Sequence, residues 1–413
     1  LLPNKAAMGW FRLLVALLPA SLWAVAVRSL EGSSSALHAS SSAPLRVSLN
    51  VVEVSDGWPH GVEADMRLIA GTSAGVQIEW DPNVTYFEPE DFLRDFLPRA
   101  NASTLVYITA KTLLNMTTDE EYCGTAKNSL LSSSIAQALL AHPRPLQLVL
   151  DDSCCQVAEW PSSSRHALYR KAFSRDLHFR LTPQNSMRSM PYGSFPRKEV
   201  LHTSGLRSDA RRLLLSFSGS NSGLFTPGAR CGALHALHAR REAIDSLAAA
   251  AMIGKPLLED SPPLGSRRVY AHLRPSENPK LANCSDEGAV WGEANLSYTT
   301  LLSHSVFGLA PPGDFWESYR LWELIEAGVI PIVQRTKGVY SGCDDAAYHV
   351  LHTIDGVLAV DDYSQLPELL QLWLGRGWDA INDLQARLLA SYNAERQRVR
   401  REVAEFTARH ADE

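Results

Sequence analysis

The sequence is poor in cysteine and has no excess of basic charge. It also lacks an uninterrupted apolar run of full membrane-spanning length. Six Cys among 413 residues are too few for a small domain built on disulfides. With 39 Lys and Arg against 45 Asp and Glu, the net charge is −6. The cationic surface that nucleic-acid binding draws on is missing, so that task is excluded as the main one. No C-x-x-C occurs, which leaves a zinc or thioredoxin reading without support. What is present is ordinary: 45% hydrophobic and 20% charged residues, enough apolar matter for sizeable cores. Collagen, low-complexity and wholly disordered chains are excluded. At about 150 residues per domain, the length suggests two to three domains.

The N-terminal end carries the first specific signal. Leu13 to Val27 (LLVALLPASLWAVAV) is uncharged and follows Arg12. Met8, taken as the start, gives the short basic leader MGWFR. Fifteen apolar residues fall short of the about 20 that a span needs. Trp10 and Phe11, with Arg12 snorkelling, extend the run to 18, marginal for a thin bilayer. Ala24-Val25-Ala26 resembles a signal cleavage site. The segment therefore reads as a signal anchor or a cleaved signal peptide, with the anchor narrowly preferred. Seven of the sixteen residues from Ser29 to Pro44 are Ser, a composition that forms a flexible stem. Basic leader, apolar run, stem and globular body make the layout of a single-pass type II protein with a lumenal body. The expected setting is the Golgi or ER membrane, or secretion if the leader is cleaved. Asn83, Asn101, Asn115, Asn283 and Asn295 each open an N-x-S/T sequon, where chance predicts roughly two. The six Cys form an even set that permits disulfides in 15 full connectivities.

The body alternates β-branched runs with helical patterns. Arg46–Val54, Thr104–Thr109 and Leu146–Leu150 read as strands, with a helix over Ser129–Leu140. A second series starts with LLLSF (Leu213 to Phe217), then a helix from about Ala229 to Met252. Strands at Val269–Leu273, Val306–Ala310, Val329–Val333 and Val357–Val360 follow. Trp378 to His410 is the clearest helix, with apolar residues recurring on one face and Arg and Glu opposite. It is expected to be a surface helix held by one stripe. The expected domains are 1–28 (anchor or signal), 29–44 (stem), 45–208 (first Rossmann-like half) and 209–413 (second Rossmann-like half with the terminal helix). Alternating elements predict an α/β fold of two Rossmann-like domains facing a cleft, the GT-B type of glycosyltransferases.

Chemistry concentrates in Tyr298 to Val333, YTTLLSHSVFGLAPPGDFWESYRLWELIEAGVIPIV. It parses as helix, strand, Pro-Pro-Gly turn, helix, strand. Leu321, Leu324, Ile325 and Gly328 form the packing face of the second helix, with Glu323 and Glu326 expected to point away. Gly328 is a natural stop. Ligands of parallel sheets bind where a strand end meets a helix start, and a helix N-terminus attracts a diphosphate. Gly313 permits close approach, Arg320 adds a cation, and Glu323 offers two oxygens to a ribose diol. A surface ion pair of Arg320 with Glu323 is an equally simple reading. Ser218 to Gly223 forms a second small-residue loop, with Arg230 near the next helix start.

These residues resemble the exostosin-type glycosyltransferases (family GT47). Tyr298, Leu302, Ser305, Phe307, Leu309, Pro311, Gly313, Ser318, Arg320, Glu323, Gly328, Ile330 and Pro331 stand where that family's pattern has them. LLLSFSGS with Arg230 is similar to its nucleotide-binding segment, and Met190-Pro191-Tyr192-Gly193 to the close of its N-terminal domain. The R-L-W-E run resembles the ribitol xylosyltransferase branch. The resemblance covers roughly Arg211 to Phe406 and is faint before Leu168. It implies an inverting transferase that moves a sugar from a nucleotide donor, a UDP-sugar, to a glycan or glycoprotein. It assigns the acceptor to the first half, 45–208, and the nucleotide sugar to the second, 209–413. Glu323 would hold the ribose, with Arg320, Arg230, Ser318 and the Gly219 and Gly313 loops at the diphosphate. No cofactor or bound metal is implied, since helix N-termini and Arg supply the electrostatics.

Inversion needs a general base from the N-terminal half. Asp56 and Asp152 follow strands there, and Glu53 and His60 are alternatives; for each, a capping or turn role is the plainer reading. Asp151-Asp152 resembles the acidic pair of metal-dependent GT-A enzymes only loosely, because adjacent residues face opposite ways. His235 and His238 lack a third ligand, and Ser303-His304-Ser305 has no hydrolase context. The competing functional reading is a catalytically inactive lumenal sugar-binding or scaffolding protein on the same fold.

Overall fold

A computed structural model describes residues 45–54, 62, 66, 69–73, 75–114, 133–151, 161, 164–170, 187–189, 205–220, 229–255, 268–274, 297–311, 319–335 and 353–412. The leader and stem, and with them the anchor expectation, lie outside these residues. Among the described residues no helix is long and apolar enough to cross a membrane. Contacts gather Leu45–Glu413 into one unit.

Two sheets build that unit. The first contains β1 (Leu45–Val54), β2 (Gly71–Ser73), β3 (Val76–Trp80), β4 (Thr85–Phe87), β5 (Thr104–Thr109), β6 (Gln147–Asp151), β7 (Ala167–Arg170) and β8 (Met187–Ser189). Its order is β2-β3-β1-β5-β6-β7-β8, with β4 beside the end of β1. All pairings are parallel except β2 with β3. The second contains β9 (Leu213–Ser220), β10 (Val269–Arg274), β11 (Ser305–Leu309), β12 (Ile330–Gln334) and β13 (Leu358–Val360), in the order β10-β9-β11-β12-β13, all parallel. The fold is thus the expected α/β pair of sheets, the first mostly and the second wholly parallel. Strands buried on both faces explain their continuous apolar runs. In β1, Val47, Leu49 and Val51 enter one core while Val52 and Val54 enter another.

Helices α1 (Ser134–Ala141), α2 (Ala229–Ala239), α3 (Arg241–Ala251), α4 (Tyr298–His304), α5 (Tyr319–Glu326), α6 (Leu366–Arg376) and α7 (Trp378–Arg409) cover the sheets. Ser133 caps α1, its hydroxyl accepting from the Ala136 amide at 3.3 Å. The helix predicted from Ala229 to Met252 is two helices, broken at Arg240 (φ −114°, ψ 12°). No Gly or Pro marks the break, and apolar spacing continues through it.

Helix α7 differs most from expectation. Its 32 residues extend about 48 Å at about 1.5 Å per residue. Ile381 and Leu384 enter the core of the second sheet. Val399, Val403 and Phe406 enter the core that contains β1 and β5. Gln147 at the foot of β6 donates to the Thr407 hydroxyl at 2.8 Å and to the Ala102 carbonyl at 3.0 Å, and Tyr169 donates to Gln147 at 3.2 Å. The helix is therefore a strut between two cores and not a surface helix. A stripe of constant periodicity looks the same whether it meets one core or two.

Candidate functional site

The second sheet has its first strand beside its third, so the order reverses between β9 and β11. In open α/β sheets ligands bind at the carboxyl ends of the strands flanking such a reversal. Gly219 lies there, as a strand residue paired with Leu273 of β10. The predicted loop thus begins later than the sequence suggests, because a Gly/Ser run adopts extended backbone when neighbouring strands offer hydrogen bonds.

Arg320, second residue of α5, lies over this strand end. A β-carbon at position 219 would stand 2.9 Å from its Nη1 and 3.1 Å from Nη2. Its Cζ is 5.5 Å from the centroid of the Phe217 ring. Phe217 and Gly219 share one face of β9, so the missing side chain opens the room that the guanidinium fills. Arg320 Nε and Nη1 are enclosed and meet no hydrogen-bond partner among the described residues. Tyr363 is buried nearby. Burial pushes its phenol well above the ordinary value, while the Gln334 backbone and the Arg320 charge pull it down.

Glu323 does not point to solvent; its exposure is 2%. The Tyr298 hydroxyl donates to Glu323 Oε2 at 2.6 Å. Leu324 rests on Gly308 of β11, while on another side Trp322 meets the Tyr392 ring of α7, centroids 5.9 Å apart. Tyr392 also donates to Glu326 Oε1 at 2.7 Å. Against the expectation that both glutamates point away from the packing face, Glu323 is buried with the Tyr298 hydroxyl of α4 on it, and Glu326 is half-buried under Tyr392 of α7. With Glu323 buried, Arg320 and Glu323 do not form a surface pair. Gly328 ends the α5 segment as read, at φ +66°.

Arg211, just past the expected domain division at 208/209, is 1% exposed. It donates to the carbonyls of Leu206, Leu302, Ser305 and Ala327 at 2.7–3.3 Å. Burial lowers its pKa to about 10. It ties the inter-sheet linker to α4, β11 and the end of α5, and so fixes the elements that present Tyr298 and Glu323.

Arg230 falls in the first turn of α2. Gly313, Ser318, Asp56 and Asp152 lie outside the described residues. Glu53 is described: it is 1% exposed and lies next to Tyr107 in the β1–β5 register. The first sheet reverses its order between those two strands, so Glu53 occupies the equivalent place in the other half. Among the described residues no three His, Cys, Asp or Glu gather as a metal-holding group. Gly71-Thr72-Ser73-Ala74-Gly75 fits G-x-S-x-G, a match the sequence reading passed over. It joins antiparallel β2 and β3 and lacks the strand-to-helix elbow of a nucleophile.

Residues 289–410 match the model of the RXYLT1 C-terminal domain. This span, under a third of the chain, holds Tyr298, Arg320, Glu323 and all of α7. The chain thus carries a segment similar to the C-terminal domain of the ribitol xylosyltransferase family, a glycosyltransferase branch. A search of curated proteins finds no match. Among solved structures, the chain is similar to an α,α-trehalose-phosphate synthase (UDP-forming) from Burkholderia vietnamiensis. That match has 12% identity and a TM-score of 0.45, covering 88% of this chain and 98% of the other. A Candida albicans trehalose-6-phosphate phosphatase N-terminal domain gives 8% identity and a TM-score of 0.45, over 88% and 97%. A Thermobaculum terrenum O-GlcNAc transferase mutant gives 13% and 0.39, over 88% and 69%. At these scores the functional argument rests on the site itself.

Proposed function

We propose that the chain is an inverting, exostosin-like glycosyltransferase of the GT-B type. It moves a sugar from a nucleotide donor, a UDP-sugar, to a glycan or glycoprotein acceptor in the secretory pathway. The carrying observation is the enclosed Arg320 guanidinium over Gly219, one helical turn from Glu323. A cation whose Nε and Nη1 are enclosed and meet no partner among the described residues is costly, and a diphosphate set against it supplies charge and acceptors together. Glu323 accepts from the ribose hydroxyls, and Gly313, Ser318 and Arg230 complete the diphosphate contacts.

In the reaction a carboxylate of the first half takes the proton of the acceptor hydroxyl. The acceptor oxygen bonds to the anomeric carbon on the face opposite the diphosphate. The bond from that carbon to the diphosphate oxygen breaks, and UDP leaves with the electron pair. Arg320 stabilises the charge gathering on the departing oxygens, a role that requires no metal. Asp56, Asp152 and Glu53 are the proposed bases. Glu53 has the support of its place at the order reversal of the first sheet. The lumenal reading draws support from exposed Asn83 and Asn101 of two sequons and from disulfide-bonded Cys231. It carries with it a membrane-held N-terminal segment.

A donor screen with release of free UDP as readout, with and without EDTA, tests the proposal. One donor class is expected to release UDP at a rate EDTA leaves unchanged. Loss of turnover in EDTA would contradict metal independence, and UDP binding without turnover on any donor or acceptor would favour the inactive scaffold.

A further inference from the structure

We infer that Tyr298 is a positioning residue that sets the plane of the Glu323 carboxylate for recognition of the nucleotide's ribose. The inference rests on the donor-site reading above. Tyr298 is the first residue of α4. Ser297 caps that helix, its hydroxyl accepting from the Thr300 amide at 3.1 Å. The other end of α4 is held by Arg211 on the Leu302 carbonyl and by the Ser305 hydroxyl on the Leu301 carbonyl, at 3.2 and 2.6 Å. The Tyr298 ring is half-buried against Leu213, Tyr270 and Leu301. Ring and helix are therefore both fixed, and the hydroxyl arrives at Glu323 Oε2 at 2.6 Å from a rigid support.

The terminal torsion of a glutamate is soft, with no strong staggered preference. A short bond from a neutral hydroxyl to an ionised carboxylate is strong and directional, and it removes that freedom before any ligand arrives. A vicinal diol places two O–H donors side by side, and the acceptor lone pairs must lie in a matching plane to receive both. Tyr298 touches neither the diphosphate nor, on this inference, the sugar. Its influence passes through Glu323 to the ribose hydroxyls alone. Loss of its hydroxyl should therefore change discrimination between ribose and deoxyribose, where a merely structural role would weaken all nucleotides alike.

The test titrates the full chain, wild type and Tyr298→Phe, with UDP and with 2′-deoxyuridine diphosphate. Wild type is expected to prefer UDP by about tenfold or more, as charge-assisted hydrogen bonds to a hydroxyl give. In Tyr298→Phe that ratio should fall to within about threefold, while competition by inorganic pyrophosphate is unchanged. An unaltered ratio in the variant overturns the role of Tyr298 and leaves the donor site standing. Absence of any preference in wild type overturns the assignment of Glu323 itself. Should Tyr298→Phe fold poorly by circular dichroism, Tyr298→Met, apolar and unbranched, decides between the same outcomes.

Discussion

Both sheets reverse their strand order beside their first strand, β1 or β9, but they furnish that point differently. In the second sheet a guanidinium lies over a glycine, with a carboxylate one turn away held by a tyrosine. In the first a carboxylate, Glu53, lies at the end of the central strand beside Tyr107. On the proposed function, the point in the second sheet serves the anion and the diol of the donor and the point in the first sheet serves the acceptor's proton, so that side-chain chemistry divides the labour between two like positions. Helix α7, seated in both cores, keeps the halves in register.

Breaking one half should leave the other's task intact. The largest effect is expected for Glu53→Gln: turnover falls by at least about a hundredfold, the usual contribution of a general base, with UDP affinity unchanged. Equal turnover in variant and wild type would move the base to Asp56 or Asp152. Gly219→Ala places a methyl group against the Arg320 guanidinium and should weaken UDP binding by about tenfold, near 1.4 kcal/mol. Its melting temperature should stay close to wild type, since the atom displaced ends a flexible side chain.

The smallest effect concerns stability of the first half. His166 accepts from the Leu146 amide at 3.1 Å, and burial, then the His142 and Arg165 charges, lower its pKa to about 4. Its folded value lies below its unfolded value near 6.5. Its contribution is therefore complete above pH 6.5 and is lost as pH falls towards 4. His166→Asn, which keeps an acceptor, should flatten the fall in melting temperature over that window. An unchanged slope would assign the acid sensitivity to other groups.

The same comparison explains what could be read from the sequence. In the second half, strand, turn, helix and stop lie within Tyr298–Val333, so local patterning exposed Arg320, Glu323 and Gly328 together. What stayed hidden were the long-range consequences. The hydrogen bond on Glu326 follows from the crossing of α7, whose Tyr392 reaches it across 66 residues, and Glu323 is buried with the Tyr298 hydroxyl of α4 on it, 25 residues away. Arg211 gave no sign of its burial because the carbonyls of Leu302, Ser305 and Ala327 are 91, 94 and 116 residues away. In the first half β2, β4 and β8 have three residues each, too short for a periodic signal. The strands β1, β5 and β6 announced themselves by β-branched runs, and Glu53 was visible only as one carboxylate among several near a strand end.

Calorimetric titration of UDP into the wild-type chain and Arg320→Ala bears most directly on the assignment of the nucleotide site to the second sheet. The expected result is a single site in wild type, weakened in the variant by about a hundredfold or more, as removal of an enclosed charge partner gives. Equal affinity of the two proteins, or no binding of UDP by the wild-type chain, would contradict it.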